Sequence, residues 1–104
     1  MLVISQSKEV WDLFRKDNEV LIYRYIVRKI KKGIAQKDPI TRLFGFKNSD
    51  QCIYVEEPDY FDVLNHALSL FISEEEYELA SKLKEFITTY HIDKVIGESN
   101  NYEE

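Results

Sequence analysis

The two prolines of this chain, Pro39 and Pro58, divide its residue patterns into three blocks. The residue before a proline is driven out of the right-handed helical region and proline donates no backbone bond, so no helix runs undisturbed through Asp38-Pro39. Upstream of that point apolar residues recur at helical spacing. Between the prolines the chain turns to β-forming residues, and after Pro58 helical spacing returns. A chain patterned in this way reads as α+β.

In the first block, Leu2-Val3-Ile4 is short and β-branched, which fits an edge strand, with a disordered or helix-stapling start as the alternative. Ser7 can accept a bond from the free amides of a first turn, and Val10, Trp11 and Phe14 then share one face of a helix from Lys8 to about Lys16. Asp17-Asn18 interrupts it through side-chain bonds to the backbone. The helical pattern resumes from Glu19 to Lys32, with Gly33 placed to end it by adopting positive φ. At about 100° per residue, Ile22, Tyr23, Ile26, Val27, Ile30 and Ile34 form one apolar arc, and Arg24, Arg28, Lys31 and Lys32 form a basic ridge opposite. Arg15, Lys16, Lys29, Lys37 and Arg42 add to that basic half.

Leu43 to Phe46 and Gln51 to Val55 are rich in β-formers and are separated by the polar tetrad Lys47-Asn48-Ser49-Asp50, which predicts an antiparallel hairpin. After Pro58, with Asp59 or Glu57 as cap, a helix of about Tyr60 to Ile72 carries Phe61, Leu64, Leu68, Phe71 and Ile72 on its apolar side. Ser73-Glu74-Glu75-Glu76 has the form of a capping box. It predicts a helix from Glu74 to about Tyr90 with Leu79, Ala80, Leu83, Phe86, Ile87 and Tyr90 inward and Glu78, Lys82 and Glu85 outward. Lys82 follows Glu78 by four residues, the favourable order for an ion pair. Ile92, Val95 and Ile96 suit a closing strand or a last helical turn, the strand being preferred. The expected architecture is a small antiparallel β-hairpin sheet packed with a basic N-terminal helix and a C-terminal helical hairpin. Residues 1–97 form one domain, and an acidic tail, residues 98–104, is too polar to offset its ordering entropy.

Charge sharpens this reading. The 104 residues carry a net charge of −5, but residues 1–48 hold 11 basic and 5 acidic side chains and residues 49–104 hold 3 and 14, so the halves stand at +6 and −11. Such polarity steers charged partners, or a second copy of the chain, toward one half or the other. No apolar run approaches the roughly 18 residues that a membrane span needs. The single Cys52 cannot form an internal disulfide, and the cytosol is the expected compartment.

Tyr77, Glu78, Ala80, Leu83, Lys84, Glu85 and Ile87 follow a recognisable order: an aromatic, a Glu, a small residue, a Leu, a basic-acidic pair and an Ile. In this the segment resembles the second helix of the UVR motif of bacterial excision-repair proteins and of some regulators of stress proteases. Leu64, Ala67 and Leu68 fit the motif's first arm. The family favours Arg-Asp where this chain has Lys84-Glu85, and lysine lacks arginine's bidentate fork. The resemblance covers about thirty residues and implies a helical hairpin that grips a partner hairpin and carries no catalytic group.

Cys52, His66 and His91 are the soft or imidazole ligands of the chain, one short of a closed zinc site and without the paired spacings such sites use. Cys52 lies in an apolar strand pattern, where a free thiol behaves as a small buried hydrophobe, and His66 falls at the edge of its helix's apolar arc as a half-exposed structural residue. Glu56, Glu57, Asp59 and Asp62, like Glu74, Glu75 and Glu76, cluster where helices start, and capping and dipole interactions account for them. No glycine-rich phosphate loop, nucleophile elbow or H-E-x-x-H pair is present. No enzyme, metal or cofactor is expected.

The function expected from sequence is therefore docking onto another protein through the C-terminal helices, with Tyr77, Glu78, Lys82, Lys84 and Glu85 as the polar contact set. Two other readings stay open. The ridge of Arg24, Arg28, Lys31 and Lys32 suits phosphates, with Tyr25 beside it to stack on a base. The acidic half suits a decoy that occupies a nucleic-acid-binding protein's groove. Self-association through the opposed halves is a further expectation.

Overall fold

The computed structural model describes the backbone of residues 1–4, 8–47 and 49–102, and the side chains of 1–4, 11, 12, 14–47 and 49–94. The capping role expected of Ser7, the placement of Val10, the turn role of Asn48 and the side chains of the acidic tail fall outside the described residues. The chain divides into two compact units, Met1–Tyr60 and Phe61–Glu104.

The first unit is α+β. In chain order it contains β1 (Leu2–Ile4), α1 (Lys8–Asp17), α2 (Glu19–Ala35), β2 (Ile40–Phe46) and β3 (Cys52–Glu56), followed by a 3-10 turn at Glu57–Asp59. The strands lie in the order β1-β2-β3. β2 and β3 pair antiparallel, as the hairpin pattern predicts. β1 pairs with β2 in parallel, Leu2 opposite Phe44 and Ile4 opposite Phe46, so the sheet is mixed rather than antiparallel. A parallel neighbour needs a crossover connection, and α1 with α2 supplies it. The basic helix is accordingly not N-terminal: β1 and α1 precede it.

α2 lies against β2 and buries Ile22, Ile26, Val27, Ile30 and Gly33, with Tyr23 and Ile34 half-buried. Gly33 does not end the helix, and its φ is not positive. It is there because a Cβ would run into Thr41 Oγ1 and lie 3.4 Å from the Tyr60 hydroxyl. The left-handed turn falls instead at Lys37, φ 58°. There Lys37 N–H donates to the Ile34 carbonyl and Asp38 N–H to the Gly33 carbonyl, the paired bonds of a Schellman cap.

Two features break simple alternation in β2. The register slips between Arg42 and Phe44, a bulge that leaves Leu43 without a direct partner and lets both Leu43 and Phe44 be buried. The Tyr25 hydroxyl donates to the Leu43 carbonyl at 3.0 Å. Trp11, also buried, stands 4.8 Å from Phe44 and 6.0 Å from Phe14, although Phe14 itself is largely exposed. Asn18 Nδ2 donates to the Phe14 carbonyl and closes the end of α1, the interruption its residue type predicts. At the far end of the sheet the Tyr60 hydroxyl donates to the Asp38 carbonyl at 2.8 Å. Its one proton being committed, it accepts from Thr41 Oγ1, also at 2.8 Å.

The second unit is helical, with α3 (Tyr60–Ser73) and α4 (Tyr77–Tyr102). Leu64, Ala67 and Phe71 of α3 and Ala80, Leu83 and Ile87 of α4 are buried. The Phe61 and His91 rings lie 5.4 Å apart, tilted 36° to each other. The expected capping box does not form. Ser73 is the last residue of α3, and its hydroxyl donates back to Leu70. A second Schellman cap follows, with Glu75 at φ 59° and Glu76 N–H donating to the Phe71 carbonyl. Nor is there a closing strand at residues 92–96, because α4 continues through them to Tyr102. At 26 residues, α4 runs well past the end near Tyr90 that spacing predicts.

Candidate functional site

The outward face of α4 starts from the 100° step of a helix. Counting from Tyr77, the buried or half-buried Leu79, Phe86, Tyr90, Leu83, Ile87 and Ala80 fall between about 180° and 300°. Lys84, Tyr77, Glu85, Glu78 and Lys82 fall from about 340° round to 140°. All five of these residues are exposed. Tyr77 is 63% exposed and so belongs to the surface, not to a core. Glu78 and Lys82 form the expected i,i+4 ion pair at 3.3 Å. In water such a pair contributes only about 0.3 to 0.5 kcal/mol, so its charges remain available to another surface.

Sequence reading missed one member of this surface and one exposed apolar residue of α3. Ile92, 49% exposed, falls near 60° on the same count and extends the face about four turns beyond Tyr77. Its β-branched neighbours Val95 and Ile96 disguise it as part of a strand, whereas helical spacing carried past Tyr90 would have placed it. Ile72, assigned by periodicity to the apolar arc of α3, is 51% exposed at the end of that helix. Ile72 and Tyr77 thus flank the acidic turn at residues 74–76.

In the first unit, Arg24, Arg28 and Lys32 are exposed along α2 and Lys31 is half-buried. Successive members stand about 6 Å apart along the axis. Arg28 lies over the Tyr25 ring, 5.8 Å from its centroid. Tyr25 is not available as a stacking platform: its hydroxyl is spent on Leu43 and its ring lies 5.1 Å from Phe44. Tyr23 is half-buried, and its phenol pKa is raised, first by burial and then by the Glu19 carboxylate.

Cys52 is half-buried rather than enclosed and lines an open cleft of about 520 Å³ beside Met1, Val3, Arg42 and Lys47. Cys52 belongs to one unit, His66 and His91 to the other. His66 is exposed, not half-exposed. Among the described residues no three His, Cys, Asp or Glu side chains are placed to hold a metal ion. Among the same residues no helix is long and apolar enough to cross a membrane. The arrangement presents two surfaces for contact, the mixed face of α4 and the cationic line on α2. No protein-family model, curated protein or solved structure matches the chain.

Proposed function

We propose that this protein is a non-enzymatic docking module of the cytosol, with α3 and α4 acting as a helical hairpin that grips a helical segment of another protein. The observation that supports it is the pairing of exposed apolar and charged groups on one side of α4. Tyr77 and Ile92 stand at the two ends of that side, and Glu78, Lys82, Lys84 and Glu85 are exposed between them. Exposed aromatic and aliphatic anchors ringed by charge are what a partner helix buries on binding. The resemblance of residues 77–87 to the UVR motif points to the same mode. Tyr77→Ala should weaken capture of the partner about 5- to 30-fold, the equivalent of about 1 to 2 kcal/mol, with an unchanged melting temperature because the ring is exposed. The test is retention of cytosolic proteins on immobilised wild-type chain and on the variant, beside melting curves of both. Equal retention by the two overturns the reading. A fall in melting temperature with no change in binding would return Tyr77 to a structural role.

Phosphate binding by the α2 ridge is the second reading, supported by the exposure of Arg24, Arg28 and Lys32. It predicts a gel shift of duplex nucleic acid that disappears on raising salt and with Arg28→Glu. No shift at low salt rejects it.

A further inference from the structure

The like-signed line on α2 has a cost that its own helix does not relieve. Arg24, Arg28 and Lys32 follow one another at i, i+4 and i+8, a spacing at which like charges destabilise a helix by about 0.2 to 0.5 kcal/mol per pair. The helix's one carboxylate, Glu19, lies in its first turn. Among the described residues no carboxylate pairs with Arg24, Arg28 or Lys32. Leu21, 59% exposed, stands one turn before Arg24 and begins the same strip. The strip is thus one exposed aliphatic side chain followed by three cations that no described carboxylate pairs with.

The second unit carries the complementary arrangement. It has 3 basic and 10 acidic side chains, a net charge of −7. At the end of α3, Ile72, 51% exposed, precedes the exposed Glu74, Glu75 and Glu76. Glu75 is held in the left-handed conformation by the Schellman bonds of that turn. One aliphatic side chain followed by three anions complements the α2 strip in charge.

We infer that the α2 strip of Leu21, Arg24, Arg28 and Lys32 is an interface for a second copy of this chain, and that its occupant is that copy's Ile72 and acidic turn at residues 74–76. The contact joins two different surfaces, so it is heterologous and each copy offers both halves. It is small and charge-dominated, which places it among weak, salt-sensitive associations. The inference of this contact does not rest on the docking proposed for α4. It lies beside Tyr77, however, so self-association would compete with a partner there.

Charge reversal in both directions tests it. The measurement is sedimentation velocity of the full chain across a concentration series at about 0.01 M and about 1 M salt, where the screening length falls from about 30 Å to about 3 Å. Wild type should associate at low salt and dissociate at high salt, with affinity falling at least about tenfold. The triple variants Arg24→Glu/Arg28→Glu/Lys32→Glu and Glu74→Lys/Glu75→Lys/Glu76→Lys should each be monomeric at low salt. An equimolar mixture of the two should associate again, because each then meets an opposite charge at both contacts. Circular dichroism confirms that each variant is folded before mixing. Wild-type monomers at low salt and the highest soluble concentration would overturn the proposal. So would association indifferent to either triple change, or folded variants that fail to recombine. Retention of duplex DNA by wild-type monomers would give the strip to a polyanion instead.

Discussion

In residues 1–60 the decisive contacts join side chains far apart in sequence. Tyr25 reaches the Leu43 carbonyl, Tyr60 reaches Asp38 and Thr41, and Gly33 makes room for Thr41. In residues 61–104 order is local: two helices carry their buried side chains at helical spacing, and one three-residue turn connects them. The first unit therefore spends the hydroxyls of Tyr25, Thr41 and Tyr60 internally, on a bulge and a helix cap, while most of its described charged side chains stay exposed like those of the second. The surfaces follow from this. Tyr25, which by pattern borders a basic ridge, is consumed by the fold, and Tyr77, on the outward face of α4, is not.

The largest effects should come from the two cores. Ile30→Ala and Leu83→Ala each remove a side chain that is 0% and 2% exposed and should cost about 2 to 5 kcal/mol. Trp11 is the single tryptophan and lies in the first unit, so denaturant unfolding read by its emission reports Ile30→Ala. Helical ellipticity reports Leu83→Ala. A loss below about 1 kcal/mol at either site would break the division into two well-packed units.

Next comes the hydroxyl network. Tyr60→Phe leaves the Asp38 carbonyl and the Thr41 hydroxyl without their partner and should cost about 1 to 3 kcal/mol in chemical denaturation. Adding Thr41→Val to Tyr60→Phe should recover part of that loss, since the orphaned hydroxyl disappears. Strictly additive losses would show that the two groups are not coupled.

The two Schellman caps put the units on equal terms. Lys37→Gly and Glu75→Gly each relieve a left-handed non-glycine residue. Each should raise stability by about 0.5 to 1 kcal/mol once the extra freedom of the unfolded chain is counted. A lower melting temperature for either variant would show that its side chain matters more than its backbone.

The smallest effect concerns Tyr23 alone. Burial and Glu19 raise its pKa above the ordinary 10.0. Its contribution to stability is intact below about pH 10 and is lost as pH rises through the raised value, because the unfolded phenol ionises first. Tyr23→Phe should flatten that alkaline slope of the denaturation midpoint. An unchanged slope would mean that Tyr23 is as hydrated as a free phenol.

How far residue patterns reached into the structure follows the same divide. Helical spacing located α2, α3 and the start of α4, and the β-rich pair between the prolines located the hairpin. What escaped depends on tertiary neighbours that no local window contains. Gly33 has the look of a helix end and is a close approach. Lys37 and Glu75 carry no sign of the left-handed turns they make. Leu2 to Ile4 reads as a strand, but its parallel alignment follows from the path of α1 and α2. At the candidate site the five charged and aromatic members of the α4 face were legible from spacing. Ile72 and Ile92 were not, because an apolar residue on a helix gives no local indication that nothing covers it.

β1 and β2 carry one last implication, for how the protein is made. Leu2 and Phe44 are neighbours across the sheet but forty-two positions apart along the chain, so β1 leaves the ribosome well before β2 and has no backbone mate until β2 has also emerged. Helices need no such wait, and pairings between distant segments form slowly because a long loop must first close. During synthesis Leu2, Val3 and Ile4 stand as an unmatched template, and the interval before β2 arrives is when stray strand pairing is most costly to the cell.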